Sequence, residues 1–498
     1  MATGDAQHVF ISYVKEDKAS VDKLCRILEA AQIPYWRDRK DLAPGDAWKQ
    51  KIREAVRSGS LTFLACFSDA SRSRTKSYMN EELTLAVDEF RLRPPGATWL
   101  IPVRFDEGEV PAWDLGGGRT LDDLNYADLF GESYAENAAG LIATINRLMG
   151  SAGVSPATTQ AALSEAEGGR RSALLARLTK EMLPDPSRRI ELDDLISQET
   201  RRVVRSIEKD DRFQMATLPS GTDDQIIAIV EGARAYWALV EPMCWSLQIA
   251  ARWADAETFK TWAKAVQSIA AEGLKPLGGM SALVNLRALP ALCLLMVGGV
   301  AAHGQERWEN LRSLAVDAQV SVHGVKLPLV DSLYPYTPFR DDQWVPNVLA
   351  RSVIQGQDAA TVLAAYSSNE ASRYYTPVEE WLHHVLKPLF EDQFVADVDY
   401  DAAYSATEIL FGLLSQDAAI QQRENGGWRS GSHWFGRSTW QARYGRRDPV
   451  ADVTEGLEEK QTGWAPLKAG LFGGRYERAT EAAAQYREVF EKVAGSRF

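Results

Sequence analysis

The segment HVFISYV, at residues 8–14, is an apolar run rich in β-branched and aromatic residues, and the charged residues Lys15, Glu16 and Asp17 end it. Such a run is typical of a buried central strand followed by a polar loop. Between Lys18 and Ala31 apolar residues recur at helical spacing, which predicts an amphipathic helix. The sequence therefore predicts a strand followed by a helix at this point of the chain.

Strands and helices are predicted to alternate as far as Met149. The later strands are expected at 33–36, 61–67, 98–105 and 126–130, and the later helices from about Asp46, at 78–90 and at 135–149. Apolar strands that alternate with helices predict a doubly wound parallel α/β sheet, covered on both faces. Ligands of such sheets bind at the carboxyl ends of the strands. The loops after Tyr13, Trp36 and Phe67 are predicted to lie there.

Composition limits the classes of function. The 498 residues fit two or three domains, and the net charge of −12 should repel a phosphate backbone, so nucleic-acid binding would need a local basic patch. The four cysteines are far apart and form no C-x-x-C pair, which is typical of reduced thiols in a cytoplasmic protein. The most apolar run, 288–302, is too short to span a membrane. A buried helix and no membrane association are therefore expected.

Four motifs occur in order along the first part of the chain. They are Phe10-Ile-Ser-Tyr13 with Asp17, then Trp36-x-Asp38, then Leu42-x-Pro-Gly-Asp46-x-Trp48, and then Ser77-Tyr78 with Glu82-Leu83. Together they resemble the Toll/interleukin-1 receptor (TIR) domain family, in particular its bacterial branch, over residues 6–149. The resemblance implies a flavodoxin-like fold, self-association of the domains and, in enzymatic members, cleavage of NAD between nicotinamide and ribose.

The resemblance also implies a catalytic glutamate, four positions after an aromatic residue on the third helix. Tyr78 and Glu82 match those positions, although the family usually has Trp where this chain has Tyr78. Residues four apart share a helix face, so the spacing selects Glu82 rather than Glu81. One carboxylate suffices for this chemistry, because nicotinamide leaves a cationic pyridinium as a neutral base without protonation. The alternative is that both glutamates are solvated residues of a helix surface.

Nine further residues are candidates for binding NAD. An alternative exists for most of them: Asp38 could form a turn, Ser12 and Tyr13 could pack at a strand end, and Trp36 and Trp48 could belong to the core. The loop 37–46 matches the BB loop of the family, which implies that it completes the site of a neighbouring subunit. The nine candidates are Phe10, Ser12, Tyr13, Trp36, Asp38, Asp41, Trp48, Ser77 and Tyr78.

The sequence gives little support for a P-loop nucleotide site or a metal site. The sequence has no phosphate-binding P-loop motif, and its six histidines show no metal-ligand spacing. We therefore expect NAD as a substrate, with no resident cofactor and no metal.

Residues 150–170 have the composition of a linker, and 171–498 are predicted to form a larger, mostly α-helical region of one or two subdomains. Its role is expected to be sensing or oligomerisation. Helices are predicted near 171–181, 191–207, 222–254 with a break at Pro242, 256–272, 281–302, 305–317, 359–366, 377–390, 402–414 and 475–493.

An arginine- and aromatic-rich segment, 428–447, has no acidic residue and is a candidate patch for an anionic partner. The alternative is a compact loop packed on the helical core. The candidate residues are Arg429, Arg437, Arg443, Arg446, Arg447, Trp434 and Trp440.

The sequence thus leaves three functional hypotheses. The first is a cytoplasmic NAD hydrolase or cyclase that self-associates, responds to an unknown protein, nucleotide or nucleic-acid trigger, and resembles anti-phage defence effectors. The second is a non-enzymatic TIR scaffold. The third is a receptor for a nucleotide or nucleic-acid signal, which would bind through the segment 428–447.

Overall fold

A computed structural model of the chain forms two compact units, Met1–Leu174 and Leu175–Phe498. It describes residues 8–30, 33–37, 60–74, 76–94, 98–131, 134–149, 171–210, 213, 218–322, 324–340, 342, 344–427, 431–444 and 448–496. The predicted helix from about Asp46, most of the loop 37–46 and the predicted linker 150–170 lie outside these ranges.

A five-stranded parallel sheet forms the centre of the first unit. Its strands are β1 (His8–Ser12), β2 (Tyr35–Arg37), β3 (Ser60–Phe67), β4 (Leu100–Arg104) and β7 (Ala127–Asp128), in the order β2-β1-β3-β4-β7. A short antiparallel hairpin, β5 (Asp114–Gly116) with β6 (Arg119–Thr120), lies between β4 and β7 in the sequence. The interior position of β1, between β2 and β3, and the flavodoxin-like order confirm the predicted fold class.

Helices pack on both faces of this sheet. They are α1 (Lys18–Ala30), the four-residue α2 (Asp69–Arg72), α3 (Tyr78–Arg91) and α4 (Tyr134–Met149). Alternate residues of β1 point to opposite faces. Val9 and Ile11 therefore join the core shared with α1 and α4, whereas Phe10 joins the core shared with α3. The same alternation directs Ser12 toward α3.

The second unit is mostly helical, as predicted. Its helices are α5 (Arg171–Met182), α6 (Arg189–Lys209), α7 (Thr222–Trp253), α8 (Ala256–Gly273), α9 (Ser281–Leu286), α10 (Leu289–Gly304), α11 (Trp308–Arg312), α12 (Leu329–Ser332), α13 (Trp344–Ile354), α14 (Ala359–Ser367), α15 (Pro377–Leu386), α16 (Asp397–Glu424), α17 (Arg437–Tyr444), α18 (Pro449–Lys460), α19 (Ala465–Lys468) and α20 (Tyr476–Gly495). A hairpin, β8 (Gln319–Val322) with β9 (Val325–Pro328), precedes α12.

Several helix boundaries in this unit differ from the predictions, and two of the differences involve prolines. The helix α7 runs through Pro242 without a break, and Pro242 is buried there, so its packing outweighs its missing hydrogen bond. The predicted helix 281–302 is instead two helices, which separate at Arg287 and Ala288, just before Pro290.

One described segment, Ser281–Gly304, has the length and hydropathy of a membrane span. However, 83% of its most apolar window is buried inside the unit. Such burial is typical of a core helix, and it agrees with the buried helix that the sequence predicts.

Candidate active site

The side chains of Ser12 and Glu82 meet at the carboxyl edge of the parallel sheet. Ser12 is the last residue of β1 and is fully buried, and its hydroxyl donates a hydrogen bond of 2.6 Å to Oε2 of Glu82. Ala65 lies beside Ser12 on the neighbouring strand β3 and leaves little side-chain bulk there. The bond therefore fixes the glutamate carboxylate at the carboxyl end of β1.

The start of α3 determines which glutamate reaches this position. Ser77 is the N-cap, and its hydroxyl accepts a hydrogen bond of 3.2 Å from the backbone N–H of Asn80. Met79 and Leu83 point into the core, and Glu82 flanks them in a partly buried position. Glu81 is exposed, because it points about 100° away around the helix. Tyr78, one turn before Glu82, is 57% exposed.

Aromatic rings stack beneath this edge of the sheet. The ring of Phe10 lies 4.8 Å from that of Trp36 and 5.0 Å from that of Phe63, centroid to centroid, and both pairs are stacked. Phe10 is only 1% exposed, so it supports the ring of Trp36 from within the core, and its role in substrate binding stays a prediction. Trp36 is partly buried and packs on the same core.

Ser12 has a role that the sequence did not predict. Its hydroxyl is buried and directed at Glu82, so it orients the carboxylate, and binding of a ligand by Ser12 stays a prediction. Tyr13, the next residue, is partly buried and packs against the core on the α1 side of the sheet. Asp38, Asp41 and Trp48 lie outside the described residues.

Sequence reasoning missed a polar network at the same edge. The hydroxyl of Ser68 donates a hydrogen bond of 2.8 Å to Asp17, and burial raises the pKa of that carboxyl group. Arg72 forms ion pairs with Asp69, at 2.7 Å, and with Asp106. Ser68 and Asp106 both follow the ends of parallel strands, β3 and β4. Residues that follow the ends of parallel strands are expected at the ligand edge of the sheet, so their positions in the sequence could have indicated this network.

The described part of the arginine- and aromatic-rich segment packs inside the second unit. Trp434 is 1% exposed and donates an indole hydrogen bond of 2.6 Å to the carbonyl of Val330. Arg437 and Trp440 each donate a hydrogen bond of 3.1 Å to the carboxylate of Glu380. These three side chains have internal partners, which favours the alternative of a segment packed on the helical core.

The remaining arginines of that segment differ in position. Arg443 is exposed and donates a hydrogen bond of 2.9 Å to the carbonyl of Ser496. Arg429, Arg446 and Arg447 lie outside the described residues. Over the part of the chain that the structure describes, no group of three or more His, Cys, Asp and Glu side chains is arranged to hold a metal ion.

A comparison with protein families gives one match. Residues 9–142 match the family model described as TIR domain, and this range contains both Ser12 and Glu82. No curated protein matches the chain.

Proposed function

Because its N-terminal unit contains a TIR domain, we propose that this protein cleaves NAD at the bond between nicotinamide and ribose, with Glu82 as the catalytic residue. The observation that carries the proposal is the 2.6 Å hydrogen bond from Ser12 to Glu82. It holds a carboxylate at the carboxyl end of β1, and ligands of doubly wound sheets bind at the carboxyl ends of the strands.

The reaction needs no acid from the protein. The bond between the ribose C1′ and the pyridinium nitrogen breaks, and its electron pair returns to the nitrogen, so nicotinamide leaves as a neutral molecule. Water then attacks C1′ and loses a proton, and the products are nicotinamide, ADP-ribose and a proton. In the cyclase variant, a nucleophilic atom of the substrate's own adenine takes the place of water.

Glu82 has two tasks in this scheme. Its carboxylate accepts hydrogen bonds from the ribose hydroxyls, and its negative charge stabilises the positive charge that develops on the ribose in the transition state. The carboxylate must be ionised and held still for both tasks. Ser12 supports this arrangement because its hydroxyl donates to Oε2 of Glu82, which favours the charged form of the carboxyl group, and because Ser12 belongs to a buried strand.

Nicotinamide release from the purified full-length chain tests the activity. We expect release at high protein concentration, and a loss of at least about 100-fold in Glu82→Gln, which keeps the shape and removes the charge. Glu81→Gln is the matched control, because it removes the adjacent, exposed charge and should leave the rate unchanged. No release at any protein concentration, or equal rates for the two variants, would refute the proposal.

Assembly is the second part of the proposal. TIR domains commonly self-associate, and the loop 37–46 would complete the site of a neighbouring subunit, so the specific activity should rise with protein concentration. In a bacterial cytoplasm, an activity of this kind, released by a trigger that acts on the helical unit, would deplete NAD and serve antiviral defence. A chain that assembles without releasing nicotinamide would instead support the scaffold hypothesis.

A further inference from the structure

A cavity of about 750 Å³ opens in the second unit. Its walls come from the end of α10, the start of α11 and the helices α16, α17 and α18, together with Trp464. Ile409 and Leu410 of α16 are buried and form an apolar floor. Its volume lies within the range of about 300–1,000 Å³ that is usual for small-molecule sites.

Acidic side chains supply the charge of this cavity. Glu306, Asp401 and Asp452 line it, and none of the lining residues that the structure describes is a lysine or an arginine. Asp401 already bonds His383, at 2.6 Å, whereas Glu306 and Asp452 are exposed at the wall. Burial lowers the pKa of His303, another lining residue, to about 4, so its ring is neutral at physiological pH. Asp401 also pairs with Arg437, at 3.7 Å, so Glu306 and Asp452 give the described wall its negative charge.

Aromatic rings share the wall with these carboxylates. Trp308 and Trp464 line the cavity, and His303 packs edge to face on Trp308 with ring centroids 5.2 Å apart. The indole nitrogen of Trp308 and Nδ1 of His303 are buried without a hydrogen-bond partner. Indole rings attract cations, so a wall that combines tryptophans with carboxylates favours a positively charged ligand.

The backbone at Glu306 gives a separate observation. Hydrogen bonds from the N–H groups of Glu306 and Arg307 to the carbonyls of His303 and Ala302 close the end of α10 as a Schellman motif. Glu306 occupies the left-handed position of that motif, with φ +52°, where glycine is the usual residue. The chain thus places a carboxylate on the cavity wall at a position that favours a residue without a side chain.

From these features we infer that the cavity binds a small organic cation, an ammonium group joined to an aromatic or apolar body. The ammonium group would lie between the carboxylates of Glu306 and Asp452 and the ring faces of the tryptophans, which attract cations. The body of the ligand would rest on the apolar floor. A phosphate-bearing ligand is disfavoured, because the described wall offers it carboxylates and no cationic partner.

Two probes with the same ring and opposite charge test this inference. Tryptamine carries an ammonium group on an indole ring, and indole-3-propionate carries a carboxylate on the same ring. Titration calorimetry with the full-length chain should show saturable binding of tryptamine and at least about tenfold weaker binding of indole-3-propionate. Equal binding of the two probes, or no saturable binding of tryptamine, overturns the inference.

Variants of the wall locate the site. Glu306→Gln combined with Asp452→Asn should weaken tryptamine binding at least about tenfold. The matched control combines Glu309→Gln and Glu455→Gln. These substitutions remove two exposed charges from α11 and α18 and change no residue that lines the cavity. The control should bind tryptamine as tightly as the unmodified chain does. Undiminished binding in the first double variant overturns the assignment. Glu82→Gln should bind tryptamine normally, so this test and that of the proposed NAD cleavage fail separately.

Discussion

Ser12 and Glu82 are 70 positions apart in the sequence and are joined by a hydrogen bond of 2.6 Å. The bond links the end of the interior strand β1 to the second turn of α3, so a strand and a helix together hold one carboxylate. Loss of the hydroxyl would remove the restraint that this bond places on the carboxylate. The bond is therefore expected to affect turnover more than substrate affinity.

Ser12→Ala should lower the kcat of nicotinamide release about 10- to 100-fold with little change in KM, because a misplaced carboxylate stabilises the transition state less well. Ser12→Thr restores a hydroxyl and should recover part of the rate. Steady-state kinetics on the full-length chain at an equal degree of assembly measure both.

Thr62→Val is the matched control for that series. Thr62 is a fully buried residue of β3, and its hydroxyl donates a hydrogen bond of 2.8 Å to the carbonyl of Trp99, away from Glu82. Its loss should cost stability and leave kcat unchanged. If kcat falls equally in Thr62→Val and Ser12→Ala, Ser12 has only a structural role.

The sequence predicted the elements with strong local periodicity. The helix predicted at 78–90 is observed at Tyr78–Arg91, and the first strand and the parallel sheet are observed where they were expected. Local spacing also distinguished the direction of Glu82 from that of Glu81. The contact of Ser12 with Glu82 could not be read from spacing, because it depends on how α3 packs across the sheet.

Tertiary contacts explain most of the differences between the predicted and the observed helices of the second unit. The helix α16 extends to Glu424, ten residues past the predicted end, because partners elsewhere satisfy the polar residues in its last turns. Asp417, for example, pairs with Arg478 of α20. The helix α18 had a local signal that was overlooked, since Asp448 followed by Pro449 is a favourable helix start.

Trp434→Phe tests whether the arginine- and aromatic-rich segment belongs to the core. The substitution removes the indole N–H and leaves the carbonyl of Val330 without that donor, which should lower the free energy of unfolding by about 1–3 kcal/mol. Urea unfolding measures this change. Arg443→Ala, at an exposed position of the same segment, should change it by less than about 0.5 kcal/mol. Similar effects of the two substitutions would contradict the core assignment.

Two substitutions at Glu306 separate backbone strain from side-chain function. Glu306→Ala keeps a side chain at φ +52°, whereas Glu306→Gly removes the steric conflict, so the glycine variant should be more stable than the alanine variant by about 1 kcal/mol. Both remove the carboxylate and should weaken tryptamine binding equally. Thermal melting and calorimetry measure the two properties. If the alanine variant is the more stable, the left-handed backbone at this position carries no strain.

The buried carboxyl group of Glu408 should make stability depend on pH. Burial raises the pKa of Glu408 to about 8, with a contribution from the nearby Glu380, while Arg437 opposes the shift. The folded state therefore keeps a proton that the unfolded state loses near the ordinary pKa of 4.5. Between pH 4.5 and pH 8 stability should fall as pH rises, by at most about 1.4 kcal/mol per pH unit from this group.

Glu408→Gln removes that proton exchange and should flatten the fall in stability between pH 5 and pH 8. Urea unfolding at several pH values measures the slope. Glu379 is also buried, and its pKa is raised mainly by burial and then by Glu408. Glu379 should therefore maintain part of the pH dependence in the Glu408→Gln variant. The double variant Glu408→Gln, Glu379→Gln should lose the rest of it. Glu458→Gln, an exposed carboxyl group of the same unit, should leave the slope unchanged. A slope that persists in the double variant would mean that other groups govern the response, because neither buried carboxyl group could then release a proton on unfolding.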